Sequence, residues 1–535
     1  MDKPLFSLCM PMFKTEKFLK RAVDSICDQD IPEWELIVCL DGPSKRAEKI
    51  LKPFTKDPRV RYITIPHGGA CAARNAAAKL SSGKYISFFS SDFIMFPGTL
   101  SLWLDYLEDH PDYDFLYGPY KITDKEAILF PEFSTTDYFL LSTRNYIDGG
   151  FPMKREIWEE HPWDESIYSL NDWDFWLNVL ECSKHEHKGF FIHEATYSAE
   201  APRSGGLSEH SNKNWLEVTG KIKAKHKIPV REICMASWGA GYHVKGLAEL
   251  VGADMTFTPW HKPNRYKMIY MLGFYVVGAD KHARFFLPSQ HTEKAKKVIH
   301  WIGGDTWQLG ELIGLRKVKK LVRSFNDRGI IHLCETPEAQ KELTEYGINA
   351  IIVPIPSLVE DKYEVLPKPK TPKIAVYFPM KEKDPYQKYL QSFVANLIKQ
   401  MPETKFVLYG SERNDKENNI EFRQWVDMKE LASECSAILR LVQHDSTPVA
   451  CLDFIQFGRE AITNIPGFPH MHFIETGEYL ERKTEDILAD VKTAIKNIKS
   501  GKKLLNTQGV RNYYKREFSQ KQYKEKIWSL ANAQE

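Results

Sequence analysis

Short apolar runs alternate with amphipathic segments along the first hundred residues of the chain. Four apolar runs predict buried strands, at residues 5–10, 36–40, 60–65 and 85–89. Apolar positions recur at helical spacing in residues 16–27, and the alanine-rich residues 70–80 add a second helical segment. This alternation predicts an α/β fold with a mostly parallel sheet and helices on both faces.

The carboxyl ends of these strands are the expected place for a ligand, because open parallel sheets bind ligands there. Pro11 and Phe13 lie at the end of the first predicted strand, Asp41 follows the second, and residues 90–92 follow the fourth. These residues are therefore the first candidates for a binding site.

A later stretch, residues 149–177, combines a glycine pair with four tryptophans. Trp173 and Trp176 recur at helical spacing, which predicts a helix from Asn171 with one buried aromatic face. Asn171 is the expected N-cap, and Asp172 then lies where free N–H groups favour an ionised carboxylate. Such a carboxylate suits a general base, whereas the alternative is that Asp172 only caps the helix.

The alternation of strands and helices begins again after about residue 225. A Pro/Lys-rich linker at residues 366–372 divides this second region. We therefore expect three Rossmann-like lobes, of which the last two form one unit. The expected boundaries are a domain at 1–228 and a domain at 229–535, with lobes at about 229–366 and 373–505 and a C-terminal helix within 506–535 that crosses back.

Composition restricts the classes of partner. Lys and Arg number 73 and Asp and Glu 71, so a net charge of +2 provides no general attraction for nucleic acid or an anionic membrane. The nine cysteines contain no Cys-x-x-Cys pair, which indicates a reducing compartment. Without a recognisable secretory signal or a membrane-spanning apolar run, we expect a cytoplasmic protein, with peripheral membrane contact if the acceptor is lipid-linked.

Residues 5–210 resemble the inverting family 2 glycosyltransferases, which have the GT-A fold. Five segments carry the resemblance: residues 9–13, 40–44, 69–76, 85–97 and 171–174. The resemblance implies a nucleotide-sugar donor bound by Pro11, Phe13, Asp41, Arg74 and Asp92. Phe13 would pack on the base, Asp41 would accept the uracil imide N–H, and Arg74 would lie near the base and diphosphate.

The same resemblance implies a divalent metal, Mn²⁺ or Mg²⁺, at Asp92 and a catalytic base at Asp172. Two carboxylates that are common in the family are replaced by Ser90 and Phe93, so weaker metal affinity is expected. Near Tyr197 the family often has a histidine ligand. Glu200 is either a substitute oxygen ligand or an exposed loop glutamate.

Residues 230–535 resemble the two-lobed GT-B glycosyltransferases, particularly the retaining family 4 type, mainly in segments 440–448, 452–458 and 461–464. The resemblance implies that Asp445 and Asp453 contact the donor sugar and ribose, and that Lys381 neutralises the diphosphate. Surface exposure is the alternative for Lys381. His300 and Asp305 are expected in the cleft, although a histidine beside a tryptophan is also typical of a core.

The leading hypothesis is a glycosyltransferase that moves a sugar, with UDP-sugar favoured, to a hydroxyl of a glycan, glycolipid or glycoprotein. A second hypothesis makes one module a catalytically silent scaffold. A third, sugar transfer to nucleic acid bases, is disfavoured by the neutral charge and by the lack of a basic and aromatic stripe. The donor sugar, the acceptor and the oligomeric state stay open.

Overall fold

The computed structural model of the 535-residue chain divides into two compact units, Met1–Val230 and Arg231–Glu535. The structure describes residues 3–123, 128–129, 136–181, 186–200, 214–237, 241–256, 266–273, 295–302, 315–358, 365–378, 385–410, 414–424, 426–442, 447–465, 467–476, 482–502 and 504–533. Within these residues, no helix combines the length and the apolar character that a bilayer crossing requires.

A seven-stranded sheet forms the centre of the first unit. Its order is Gly189–Phe191, Phe115–Tyr117, Met153–Lys154, Tyr85–Ser87, Phe6–Met12, Trp34–Asp41 and Val60–Ile65. The strand Met153–Lys154 is antiparallel to its neighbours, and the other pairings are parallel. A second sheet contains Phe93–Met95, Tyr197–Ala199, Tyr120–Ile122 and Ile128–Leu129.

Helices cover this sheet because their apolar faces need burial. They are Glu16–Cys27, Lys45–Leu51, Ala70–Leu80, Thr99–Asp109, Tyr138–Thr143, Arg155–Glu160, Asn171–Glu181 and Trp215–Lys225, with a 3₁₀ turn at Phe54–Lys56. Trp34, Trp103, Trp173 and Trp176 are almost fully buried among them. The mixed α/β fold with mostly parallel sheets is therefore confirmed.

The second unit contains two more sheets. The first has six parallel strands in the order Asp254–Thr256, Ile233–Ser237, Met268–Leu272, Lys296–Trp301, Ile331–Cys334 and Ala350–Ile352. The second has the order Lys416–Glu417, Ile420–Arg423, Lys405–Tyr409, Lys373–Tyr377, Cys435–Arg440, Glu460–Thr463 and His472–Phe473. Among its described pairings, that of Lys416–Glu417 with Ile420–Arg423 is antiparallel and the rest are parallel.

The helices of this unit are Gly241–Val251, Leu315–Asn326, Pro337–Glu345, Pro385–Gln400, Met428–Glu434, Val449–Gln456, Thr484–Ser500, Gln508–Glu517 and Gln520–Asn532. The prediction of one continuous C-terminal helix is wrong, because Phe518 and Ser519 are not helical and separate two helices. The hydroxyl of Ser519 caps the last helix by accepting from the N–H of Gln522. The last helix contacts the first lobe, since Trp528 Nε1 donates to the Val251 carbonyl at 2.9 Å.

Candidate active site

Asp41 lies at the carboxyl end of the strand Trp34–Asp41 and is only 3% exposed. Its Oδ1 accepts the N–H of Gly68 at 2.7 Å, and its Oδ2 lies 2.8 Å from His67 Nδ1. Gly69 also donates its N–H to this carboxylate, and its φ of 91° is a conformation that side chains rarely adopt. The turn before the helix Ala70–Leu80 is therefore built around Asp41.

The exposed ring of Phe13 stacks on His67, with ring centroids 4.2 Å apart and planes 10° apart. Pro11 is half-buried in the adjoining strand and pairs in register with Cys39. Phe13 and Asp41 therefore lie together at one strand edge, and His67 joins them. The sequence reasoning missed His67, although the segment His67-Gly68-Gly69 after the third strand was a usable signal.

Arg74 connects this edge to the helix Asn171–Glu181. Its Nη1 donates to Asn171 Oδ1 at 2.9 Å, and its guanidinium lies 4.2 Å from the Trp163 ring centroid. The prediction that Asn171 is the N-cap is wrong. The helix begins at Asn171, and the carbonyl of Leu170 accepts the first bond from the N–H of Asp174. The side chain of Asn171 is thereby left to bind Arg74.

Asp172 is half-buried in the first turn of that helix. Its Oδ2 accepts from Asn145 Nδ2 at 2.9 Å, and its Oδ1 accepts the N–H of Trp173 at 3.0 Å. The Trp173 ring is buried and donates to the Leu141 carbonyl. One side-chain donor and one backbone donor therefore fix the Asp172 carboxylate in the first turn of the helix.

A second carboxyl, Asp148, interacts electrostatically with Asp172. Its Oδ1 accepts from the Tyr197 hydroxyl at 2.8 Å and from the Gly150 N–H at 2.7 Å. Burial raises the pKa of Asp148, and the negative charge of Asp172 raises it further. The Tyr197 ring stacks between Tyr120 and Phe93, at centroid distances of 5.5 and 4.9 Å.

Asp92 is half-buried beside Ser91, whose hydroxyl bonds with that of Thr15 at 2.7 Å. Phe93, which stands where a carboxylate is common, packs on Tyr197 instead. Asp92 does not belong to the cluster of three side chains that, among the described residues, lie close enough together to bind a metal. A metal ion at Asp92 would therefore have one carboxylate ligand from the protein, and the donor diphosphate and water would be its other ligands. Mg²⁺ accepts such a ligand set.

The two expectations for Glu200 are a substitute oxygen ligand and an exposed loop glutamate. Its side chain is 13% exposed and forms an ion pair with Arg21, so the interpretation as an exposed loop residue is wrong. A metal ligand role would require Arg21 to release this carboxylate.

In the second unit, His300 and Asp453 are both buried. His300 is fully buried, its Nδ1 bonds with the Tyr270 hydroxyl, and burial lowers its pKa to about 3. His300 is therefore a core histidine, as the alternative interpretation had it, and does not lie in an open cleft. Asp453 Oδ1 accepts from Ser357 Oγ at 2.7 Å. The other candidates of this unit lie outside the described residues: Asp305, Lys381 and Asp445.

Comparison with known proteins shows which protein family the first unit resembles. A sequence profile described as glycosyl transferase family 2 matches residues 7–161. An uncharacterized glycosyltransferase of Methanocaldococcus jannaschii is 30% identical over 205 residues, which are 36% of this chain and 70% of that protein. The chain belongs to glycosyl transferase family 2. It is thus a glycosyltransferase, with the family domain at its N-terminus.

Two further proteins are similar to part of this family 2 glycosyltransferase. An Escherichia coli UDP-Glc:alpha-D-GlcNAc-diphosphoundecaprenol beta-1,3-glucosyltransferase is 32% identical over 130 residues, 24% of this chain and 51% of that protein. The crystal structure of Staphylococcus aureus TarS 1–349 with UDP-GlcNAc is 19% identical, covers 41% of this chain and 66% of that one, and has a TM-score of 0.35. The chain thus spans about half the length of the first and two thirds of the second.

Changing Tyr197 to Phe tests the bond to Asp148. The variant is expected to lower the free energy of unfolding by about 1–3 kcal/mol, because a buried carboxyl oxygen loses a donor. Thermal unfolding of the full chain measures the change, and Tyr168→Phe is the control because the Tyr168 side chain is exposed. An unchanged midpoint for Tyr197→Phe would show that Asp148 does not need this hydroxyl.

Proposed function

We propose that the first unit transfers a sugar from a nucleotide-sugar, with UDP-sugar favoured, to an acceptor hydroxyl, with inversion at the anomeric carbon. The position of Asp172 carries this proposal. Its carboxylate is fixed by Asn145 and Trp173, and it directly follows Asn171, the first residue of the helix, which binds Arg74. A general base and a cation for the donor are thereby brought together.

Asp172 would accept the proton of the acceptor hydroxyl as that oxygen attacks the anomeric carbon. Asn145 and the Trp173 N–H hold the carboxylate in one orientation, which favours in-line attack. Burial, and next the negative charge of Asp172 itself, raise the pKa of Asp148 beside this base. A divalent ion held by Asp92 would neutralise the leaving diphosphate.

The stack of Phe13 and His67 supports a uracil base as part of the donor. The His67 imidazole is a planar ring that lies on Phe13 with a nitrogen beside Asp41 Oδ2. A uracil ring with its imide N–H directed at Asp41 has the same two features. His67 is half-exposed, so its side chain can move aside for a base. The glucosyltransferase relative, named for a UDP-sugar donor, agrees with this choice.

The acceptor that we propose is a hydroxyl of a glycan, glycolipid or glycoprotein. The same relative is named for a diphosphoundecaprenol acceptor, which favours a lipid-linked glycan. A cytoplasmic location with peripheral membrane contact would fit such an acceptor. Nucleic acid is not proposed as a partner.

For the second unit we propose a GT-B-like arrangement of two lobes, at about 229–366 and 373–505. One parallel sheet, one mostly parallel sheet and a last helix that contacts the first lobe support this proposal. The alternative is that this unit is a silent scaffold, and the burial of Asp453 against Ser357 favours it.

Calorimetric titration of the intact protein with UDP and GDP, with and without Mn²⁺, tests the donor proposal. We expect tighter binding of UDP than of GDP. Asp41→Asn should weaken UDP binding by roughly 10- to 100-fold, because a hydrogen bond to a charged group is lost. Asp105→Asn is the control, since Asp105 is exposed. Equal affinity of Asp41→Asn and wild type for UDP would remove Asp41 from the base site.

A further inference from the structure

Three side chains of the first unit that can bind a metal lie close together, outside the candidate active site. The Glu160 Oε2 atom lies 4.0 Å from His161 Nε2 and 4.0 Å from His187 Nε2. The three ligand atoms all lie within 4.8 Å of one another. None of these residues belongs to the candidate active site described above.

Two separate elements supply these side chains. Glu160 and His161 lie at the end of the helix Arg155–Glu160, where the His161 N–H donates to the Ile157 carbonyl at 2.9 Å. His187 comes just before the edge strand Gly189–Phe191. The two imidazole rings are perpendicular, at 88° with centroids 6.1 Å apart, so the rings do not stack face to face.

Asp114 lies near the other ring nitrogen of His187. Its Oδ2 lies 3.5 Å from His187 Nδ1 and also accepts the N–H of Lys188 at 3.1 Å. The other oxygen accepts from Lys154 Nζ at 2.8 Å. A carboxylate on Nδ1 with Nε2 directed to a ligand position is the arrangement that commonly supports metal-binding histidines.

The cluster has a buried side and an open side. The side chains of His161 and His187 are 16% and 9% exposed, whereas Glu160 is 43% exposed. Among the described residues, His161 Nε2 is buried with no hydrogen-bond partner.

We propose that Glu160, His161 and His187 bind a Zn²⁺ ion, with water as a fourth ligand on the exposed side. Two imidazole nitrogens and one carboxylate oxygen suit Zn²⁺, whereas Mg²⁺ prefers oxygen ligands alone. Zinc bonds of about 2.0–2.1 Å place tetrahedral ligand atoms roughly 3.4 Å apart. The two separations of 4.0 Å from Glu160 would contract by about 0.6 Å, which rotation of the exposed Glu160 side chain can provide. The ligand atoms of the two histidines, which lie within 4.8 Å of each other, would also move closer together. The ion would join the helix end to the edge strand.

Titration of the chelator-treated full chain with ZnCl₂ tests this proposal. We expect one site whose affinity falls at least tenfold in His161→Gln and in His187→Gln, because each change removes one of three protein ligands. Co²⁺ in place of Zn²⁺ should give the visible absorption of a tetrahedral site, and Zn²⁺ should raise the thermal midpoint of the wild type. His193→Gln is the matched control, since His193 is exposed and outside the cluster.

Asp92→Asn should leave this Zn²⁺ affinity unchanged, which separates the cluster from any ion at the donor site. Wild-type Zn²⁺ affinity in both cluster variants would overturn the proposal. Displacement of Zn²⁺ by an equal concentration of Mg²⁺ would overturn it as well, because it would show an oxygen-only site. If His187→Gln fails to fold, as judged by its metal-free thermal midpoint, His161→Gln decides the question.

Discussion

Replacing Asp172 with Asn is expected to abolish sugar transfer by the first unit while the fold stays intact. The Asn side chain keeps one of the two oxygens, so it can still accept from Asn145 or from the Trp173 N–H, but its amide cannot take the proton of the acceptor. Loss of a general base typically reduces the rate by about 10²- to 10⁴-fold. The rate of UDP release from the UDP-sugar that the wild type uses measures the effect.

Two comparisons make this result specific. Asp112→Asn, at an exposed position of the same unit, should retain the wild-type rate. UDP affinity should also be unchanged in Asp172→Asn, because the proposed base binding lies at Phe13 and Asp41. Full activity of Asp172→Asn would leave this carboxylate as a first-turn residue of the helix with no part in proton transfer.

The sequence was informative wherever a local pattern decides the outcome. Apolar runs with the length typical of buried strands predicted the strand that ends just before Phe13 and the strand that ends at Asp41, and these two residues do lie at one edge. The helix that carries Asp172 was also predictable, because Trp173 and Trp176 mark its buried face. Burial of a regular face is encoded within a few turns of chain.

Contacts between distant segments were not predictable in this way. Asn145 binds Asp172 across 27 positions, and Tyr197 binds Asp148 across 49. Asn171 was expected to cap its own helix, but Arg74, 97 positions away, occupies its side chain. A local sequence pattern does not show whether the Asn171 side chain bonds with a distant arginine or with its own helix terminus, because either partner satisfies the same polar atoms of Asn171.

The same limit explains His300. A histidine at the end of a strand can face a cleft or the core, and the neighbouring Trp301 does not decide between them. Here the hydroxyl of Tyr270 bonds with Nδ1 from the adjacent strand, and the ring is buried. That tyrosine lies 30 positions earlier in the chain, beyond the reach of the motif that suggested the cleft.

Replacing Asp453 with Asn is expected to stabilise the second unit at pH 8. Burial raises the pKa of Asp453 from 3.8 to about 7 in the folded chain. Between pH 4 and 7 the unfolded chain therefore loses this proton while the folded chain keeps it, so the wild type loses stability as the pH rises. The loss of stability amounts to roughly 4 kcal/mol; it is complete near pH 7 and constant above it.

Thermal unfolding of the full chain at pH 5 and pH 8 measures this difference. The midpoint of Asp453→Asn should exceed that of the wild type at pH 8, and the gap should shrink towards pH 5, where the carboxyl is protonated in the folded state. The Asn oxygen can still accept from Ser357. A gap that does not change with pH would show that Asp453 carries no raised pKa.

Nucleotide binding by the same variant distinguishes the two proposals for the second unit. A donor site that uses the Asp453 carboxylate for ribose hydroxyls needs it charged and turned away from Ser357, so Asp453→Asn should weaken nucleotide binding in that case. A scaffold role leaves the affinity unchanged, because the carboxyl then serves only the bond to Ser357. Greater stability at pH 8 with unchanged affinity would make Asp453 a buried structural residue and favour the scaffold. Weaker binding would instead require the Ser357 contact to open when the donor binds.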